Sequence, residues 1–422
     1  MRKRFYSISI SILCVLLALT ACGKSPAPTN KVTITVWDYY GDPNATPIKP
    51  LIANFEAENP DISVDYQIMD WQTTLDKLNI ALSGGTPPDV ATIDMTWMPH
   101  FAALGALADL KTYMPDGQLN GLPLDQNYTA GSLEAMKYSG QILTMMYDFD
   151  AYALYYRVDL LEAKGIPVPV TWEDMVAALH TIGEDNLYKY ELYPDSFHIA
   201  QFIYQNGGSI LNEEATSATF NSPEAIQAFQ FYTDLYLKEQ VGIVWTADQG
   251  EDIQGIKDGR IAMFANGPYY MGLLKSGAPE MAGKWRVAIH PYSNSASSYL
   301  GGTGLVIPAS SKKQEAAWKF IQYLLKPENA IAVYKYAGAA PALLQALNSP
   351  EVDQPDEYFG GQKTLEIFEQ AMATAHPFPY VKQWTDIDGF ISTSLQDILL
   401  NHAQVQTAVD SAAEQTNNIL RK

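Results

Sequence analysis

From Val32 onward, short apolar runs rich in β-branched residues alternate with longer stretches whose apolar residues recur at helical spacing. A chain patterned this way lays helices over largely parallel sheets, the layered α/β class. Val32 to Trp37 (VTITVW) reads as the first strand, and Ile48, Leu51, Ile52 and Phe55 then share one helical face. Ile62 to Ile68 is a second strand. Asp70 is placed to cap the next helix, which turns Leu75, Leu78 and Leu82 inward and stops at Gly84-Gly85, before a third strand at Asp89 to Ile93.

The same alternation resumes downstream. A strand is expected at Tyr152 to Tyr156, and helices open at Thr171-Trp172-Glu173-Asp174 and at Ser222-Pro223-Glu224. Further strands are expected at Ile261 to Phe264 and Leu305 to Ile307, followed by a helix capped from Ser311 to Gln314 that groups Trp318, Ile321 and Leu325. A chain of 422 residues exceeds one comfortable core, so two lobes are expected.

Charge narrows the partners. Lys and Arg number 27 against 47 Asp and Glu, a formal charge of −20, so phosphate backbones are repelled and no basic stripe offsets this. The one long apolar run, Phe5 to Leu19 behind Arg2, Lys3 and Arg4, fits a secretory signal and is short for a membrane span. Leu19-Thr20-Ala21-Cys22-Gly23 resembles the lipobox of bacterial lipoproteins, in which the cysteine is acylated and becomes the mature terminus. The alternative is an ordinary secretory signal with a stray cysteine. With lipidation at Cys22 and Cys14 discarded, the mature chain keeps no free thiol for a disulfide or zinc. Gly23 to Lys31 reads as a flexible tether.

The first strand with Asp38, followed by Phe55-Glu56-Ala57-Glu58-Asn59-Pro60-Asp61-Ile62, resembles the opening of the extracellular solute-binding proteins that feed carbohydrates to ABC importers. The resemblance continues through Leu82-Ser83-Gly84-Gly85-Thr86-Pro87-Pro88-Asp89-Val90, Tyr155-Tyr156-Arg157-Val158-Asp159-Leu160-Leu161 and Gly165-Ile166-Pro167. Asn206-Gly207-Gly208, Gly259-Arg260-Ile261-Ala262-Met263, Asn266-Gly267-Pro268 and Gly301-Gly302 complete it in the family's order. It implies a two-lobed periplasmic-binding-protein-like fold with a hinge and an inter-lobe ligand cleft. On that basis 1–21 is the signal, 22–31 the tether, 32–150 with 300–345 one lobe, and 151–299 with 346–422 the other. Crossings are expected near Asp150, between Tyr292 and Leu300, and near Ala346.

Ligands of open α/β sheets bind beyond the carboxyl ends of strands. Those segments are aromatic and acidic here: Trp37-Asp38-Tyr39-Tyr40, Asp70-Trp71 and Asp94-Met95-Thr96-Trp97. Aromatic faces suit the C–H patches of a sugar and carboxylates suit its hydroxyls. Trp37, Tyr40, Trp71, Asp94 and Trp97 are therefore candidates, each weighed against core packing or helix capping. Asn266 and Tyr269 end a strand and open a helix, with Tyr269 standing where many family members have Trp. Asp148, Asp150 and Tyr152 lie near the first expected crossing, Gly301 and Gly302 near the second, while Trp245 and Trp384 are candidates from the second lobe.

Gly301-Gly302-Thr303-Gly304 lacks the Lys-Ser/Thr ending of a phosphate loop. Thr385-Asp386-Ile387-Asp388-Gly389 has only a fragment of calcium-loop spacing, so neither metal nor cofactor is expected. No GxSxG or HExxH motif supports catalysis. The expected role is a monomeric, lipid-anchored receptor on the outer face of the cytoplasmic membrane that captures a carbohydrate, in expectation an oligosaccharide, for an ABC permease. The alternatives are a secreted glycoside hydrolase or a same-fold receptor for a non-carbohydrate solute.

Overall fold

The computed structural model describes residues 31–39, 48–183, 189–245 and 251–421. Twelve strands organise the lobes: β1 (Val32–Asp38), β2 (Ile62–Ile68), β3 (Val90–Asp94), β4 (Met145–Met146), β5 (Ala153–Arg157) and β6 (Lys189–Leu192) come first. β7 (Gly242–Val244), β8 (Ile261–Asn266), β9 (Trp285–Ala288), β10 (Tyr299–Leu300), β11 (Thr303–Val306) and β12 (His376–Pro377) follow. One five-stranded sheet has the order β2-β1-β3-β11-β4, the other β7-β6-β8-β5-β9, and β10 pairs with β12 alone. In the first sheet β1 runs parallel to both β2 and β3, while β11 is antiparallel to β3 and to β4. In the second, β6 is parallel to β7 and β8, and β5 is antiparallel to β8 and β9. The sheets are thus mixed rather than largely parallel, because strands arriving from the crossing segments enter in the opposite sense.

Local signals act where the sequence puts them. Asp70 caps the helix Trp71–Gly84 by accepting from the Thr73 amide, and Thr74, Leu75, Leu78 and Ala81 form its buried face. That helix ends at Gly85, whose φ of +76° is one glycine adopts without strain. Thr171 and Asp174 close a reciprocal capping box on the helix Trp172–Ile182, and Ser222 caps Pro223–Leu237. Ser311 does not cap its helix. Its hydroxyl donates to Asp89 at 2.7 Å and its oxygen accepts from the Lys313 amide at 3.1 Å, one residue short of the helix Gln314–Leu324, which starts from Lys313 without a side-chain cap of its own.

Between the two sheets three segments lie side by side. Asp150 exchanges backbone hydrogen bonds with Gly301, Tyr147 donates to the Thr303 carbonyl at 2.7 Å, and Phe149 donates to Ala340 at 3.0 Å. Gly302 has φ +147°, and a Cβ there would collide with the Asp148 carbonyl. The buried Asp148 carboxylate accepts from the Thr303 amide at 2.6 Å, fixing one segment to another. Apolar burial is continuous across this junction: one cluster joins Ile34, Val36 and Phe55 beneath the first sheet to Tyr155, Phe264 and Trp285 of the second. Another fills the second lobe around Phe202, Phe229 and Trp384, and a small third one lies around Trp97, Phe101 and Ile93 on the far face of the first sheet.

Candidate functional site

The carboxyl ends of β2 and β3 carry the first lobe's contribution. Asp94 ends β3 and accepts from the Thr96 amide at 2.8 Å and the Thr96 hydroxyl at 2.6 Å, with the Trp71 indole N–H as a further donor. Burial nevertheless raises its carboxyl above the usual range. Trp71, the first residue of its helix, sits 4.7 Å from Trp97, and Tyr39 meets Trp97 edge-on at 5.7 Å. The Tyr39 hydroxyl and the Thr303 hydroxyl are 2.9 Å apart. Trp37 packs on the same small apolar cluster, and Trp97 is only 2% exposed, so much of its surface serves that packing.

The crossing segments form the floor. Asp150 accepts from the Tyr299 hydroxyl at 2.6 Å through one oxygen, and its other oxygen is buried without a hydrogen-bond partner. Burial pushes this carboxyl up to about 7 against the Tyr299 bond. A Cβ on Gly267 would strike the Asp150 carboxylate, so the Asn-Gly-Pro turn needs its glycine for this approach. Tyr152 packs edge-on against Tyr299 at 4.5 Å, and Tyr269, half-buried, is electrostatically coupled to both rings. Asn266 turns its carbonyl back onto the Gly267 amide at 2.9 Å, and Asp148 is committed to Thr303; these two, with Gly301 and Gly302, shape the floor through backbone geometry.

The second lobe adds the N-terminus of the helix Ser196–Gln205. Asp195 caps it by accepting from the His198 amide at 2.9 Å, and its carboxylate also accepts from the His198 ring Nδ1 at 2.9 and 3.0 Å. Burial works to raise Asp195, and the imidazole overcomes it, leaving the carboxyl below the usual range. A carboxylate only accepts, so Nδ1 donates, while the ring's Nε2 is buried without a hydrogen-bond partner. The His198 ring stacks on Tyr193 at 4.2 Å, and Tyr193 in turn on Trp245 at 5.5 Å. Asp388 accepts from the Ser196 hydroxyl at 2.6 Å, and burial pushes its carboxyl up to about 6, with Asp195 and Asp94 adding to the rise.

The lobes meet where Phe197 stands edge-on to Trp71 with ring centroids 6.1 Å apart. Phe197 also approaches Tyr299 at 5.9 Å and Phe378 at 5.0 Å. Among the sequence candidates, Trp71, Asp94, Trp97, Asp150, Tyr152 and Tyr269 lie around this meeting point, and Trp245 lies further along the second lobe. Trp384 is 1% exposed beneath Phe378, in the packed interior of its lobe. Tyr40 and Cys22 lie outside the described residues. The Thr385–Gly389 fragment is helical, part of Trp384–Asn401, and is not a loop. Sequence reasoning did not single out Asp195, Phe197, His198, Tyr299 or Asp388 as site residues. Pro194-Asp195-Ser196 before an apolar run is a helix-start signal that pointed to three of them.

Known proteins share this architecture. The family model described as bacterial extracellular solute-binding protein matches residues 41–331. The chain belongs to that family. The solute-binding protein is 24% identical over 387 residues to the lactose-binding protein of Rhizobium radiobacter, covering 85% of this chain and 86% of that one. It is 21% identical over 426 residues to the galactooligosaccharide-binding protein of Bacillus subtilis, covering 96% and 95%. Among solved structures, an ABC transporter solute-binding protein of Thermotoga lettingae bound with α-D-tagatose superposes with a TM-score of 0.82 at 27% identity, covering 92% of this chain and all of that one. The fold is that of the two-domain sugar-binding proteins, and the Thermotoga lettingae protein is a solute-binding protein of an ABC transporter.

Proposed function

We propose that this solute-binding protein captures an oligosaccharide between its lobes and delivers it to the permease of an ABC importer, held as a monomer on the outer face of the cytoplasmic membrane by lipid on Cys22. The observation that carries the reading is the run of rings from Trp97 and Trp71 in one lobe, through Phe197, to Tyr299 and Tyr152 in the other, edged by Asp94, Asp150 and Asp388. Rings of that kind accept the apolar faces of pyranose units, and carboxylates accept their hydroxyls. On this reading one lobe comprises 32–150 with 300–345 and the other 151–299 with 346–422.

A ligand shifts an open–closed equilibrium only through its different affinity for the two states. A saccharide touching Trp71 and Phe197 together satisfies that condition, whereas one touching a single lobe does not close the cleft. The test is calorimetric titration of the protein against a panel of di- and oligosaccharides, with chromatography of each sample afterwards. The reading expects saturable binding with the saccharide intact; no binding across the panel, or cleavage of the bound sugar, overturns it. Lipid anchoring has its own test, since Cys22→Ser is expected to move the protein from the membrane fraction to the soluble one.

A further inference from the structure

We propose that the helix Tyr270–Gly277 of the second lobe and the helix Pro327–Ala337 of the first form a one-way stop for lobe movement, so that Gly272 and Gly338 set saccharide affinity from outside the ring cluster. The proposal rests on the carbohydrate reading and the lobe boundaries given above. Two elements of opposite lobes meet here through backbone. The first helix follows β8 of the second sheet, and the other follows Gln314–Leu324, whose Phe320 stands edge-on to Phe55 of the first lobe at 5.0 Å. A Cβ added at Gly272 would lie 2.7 Å from the Ala337 carbonyl oxygen. One added at Gly338 would lie 2.8 Å from the Pro268 carbonyl oxygen and 3.0 Å from that of Tyr269. Gly338 also has φ +74° and closes its helix by donating to the Tyr334 carbonyl at 2.9 Å.

This contact is joined both to the crossing segments and to the rings. Gly338 opens the stretch in which the Ala340 carbonyl accepts from Phe149 at 3.0 Å and Ala342 donates to Tyr147 at 3.3 Å, which binds it to the first crossing. Tyr269, whose carbonyl meets Gly338, is the residue coupled electrostatically to the Tyr152 and Tyr299 rings. Beside the contact, Met271 and Lys275 of one helix and Tyr334 and Lys335 of the other line a groove of about 480 Å³, with residues of the segment 350–357 as its third wall. That segment is tied to each helix by one ion pair, Lys275 to Asp356 at 2.5 Å and Lys335 to Glu351 at 2.7 Å.

Backbone packed on backbone has no side chain that can yield, and close-packed interiors compress little. Rotation that presses the two helices together is barred, so the lobes leave this arrangement in the sense that draws the helices apart. The groove offers space for that movement, and its exposed ion pairs oppose it little. The arrangement held at the stop is also the one that sets Trp71 against Phe197. A methyl group at position 272 or 338 therefore strains this arrangement and leaves the parted one relaxed. A saccharide that selects the arrangement with Trp71 against Phe197 then binds more weakly by that difference.

The test is calorimetric titration of Gly272→Ala and Gly338→Ala with the saccharide that binds the parent protein most tightly, each beside a matched control. Gly389→Ala adds a methyl group inside a helix with nothing within 4 Å of it, and Gly85→Ala adds one in open space at φ +76°, the same left-handed backbone as at Gly338. Gly272→Ala and Gly338→Ala are each expected to weaken binding about tenfold or more, the scale on which overpacking strains one of two states, while the controls stay within about twofold of the parent. Weakening no greater than in the matched controls overturns the inference and leaves the carbohydrate reading intact. Should neither variant melt cooperatively, hydrogen exchange of the parent decides. The Gly272 and Gly338 amides are expected to exchange more slowly with saccharide bound, and unchanged exchange at both overturns the inference. Absence of binding by the parent to every saccharide overturns the carbohydrate reading and this inference with it.

Discussion

The two lobes are built alike and equipped differently. Each lays three parallel strands and adds antiparallel strands next to the hinge: β2, β1 and β3 with β11 in one, β7, β6 and β8 with β5 in the other. The first lobe turns the chain after its strands into an aromatic ledge, with Trp71 and Trp97 resting on a small apolar cluster separate from the main core. The second spends its large aromatics, Trp172, Phe202 and Trp384 among them, inside its own core and offers a helix N-terminus with Asp195, Phe197 and His198, joined by Asp388. The scaffold is therefore common to both, while the first lobe presents Trp71 and Trp97 over their own small cluster and the second presents a capped helix N-terminus.

The largest effect should come from treating a core ring and a ledge ring identically. Trp384→Ala is expected to cost about 3–5 kcal/mol of stability, and Trp71→Ala no more than about 1 kcal/mol, measured by equilibrium denaturation. Equal losses would mean that Trp71 is core and that the contrast between the lobes fails. In saccharide titrations the order reverses. Trp71→Ala should weaken binding about tenfold to a hundredfold, and Tyr269→Phe, which keeps the ring, should change it by less than about threefold.

A smaller effect follows from two buried carboxyls, Asp150 at the end of the first lobe's opening segment and Asp388 in the second lobe. Burial pushes Asp388 up to about 6 and Asp150 up to about 7, above the ordinary 3.8. A carboxyl raised in the native state holds its proton more tightly there than in the unfolded chain. Stability from this source is full below about pH 4 and is lost as pH rises toward 7. Buried His290, held down to about 3, acts in the opposite sense over this range, so the test compares variant with parent: Asp388→Asn should shift the change in stability between pH 5 and pH 7 by about 1 kcal/mol in favour of the higher pH, a figure reduced for the residue's partial exposure. An unaltered slope in the variant would place the titration elsewhere. The smallest changes, about 1 kcal/mol each by thermal melting, are expected from Asp70→Ala in one lobe and Thr171→Ala in the other, since each removes one helix cap.

Legibility in the sequence divided along the same line. β1, β2 and β3 were readable because β-branched residues alternate or run together there, and Asp70, Thr171 and Ser222 act as the caps their positions suggest. β6, β7 and β9 were not. They span three or four residues each, and Lys189, Glu191 and Arg286 interrupt any apolar pattern. The helix Ser196–Gln205 is buried on nearly every side, so it has no amphipathic stripe for periodicity to find. Ser311 is a partial case: its oxygen accepts from the Lys313 amide just before the helix, while its hydroxyl donates to Asp89, a partner 222 residues away in sequence that no local pattern reveals. The aromatic ledge of the first lobe follows its strands directly and could be read one segment at a time. Phe197, Tyr299 and Asp388 meet only through tertiary folding, from three distant segments.

On the proposed function a saccharide is held by both lobes at once and closes them. Small-angle X-ray scattering of the protein, first ligand-free and then saturated with the tightest-binding member of the saccharide panel, tests it most directly. The radius of gyration is expected to fall on saturation, and the saturated curve to fit the arrangement with Trp71 against Phe197. A scattering curve unchanged by a ligand whose saturable binding is established in the same sample would contradict it.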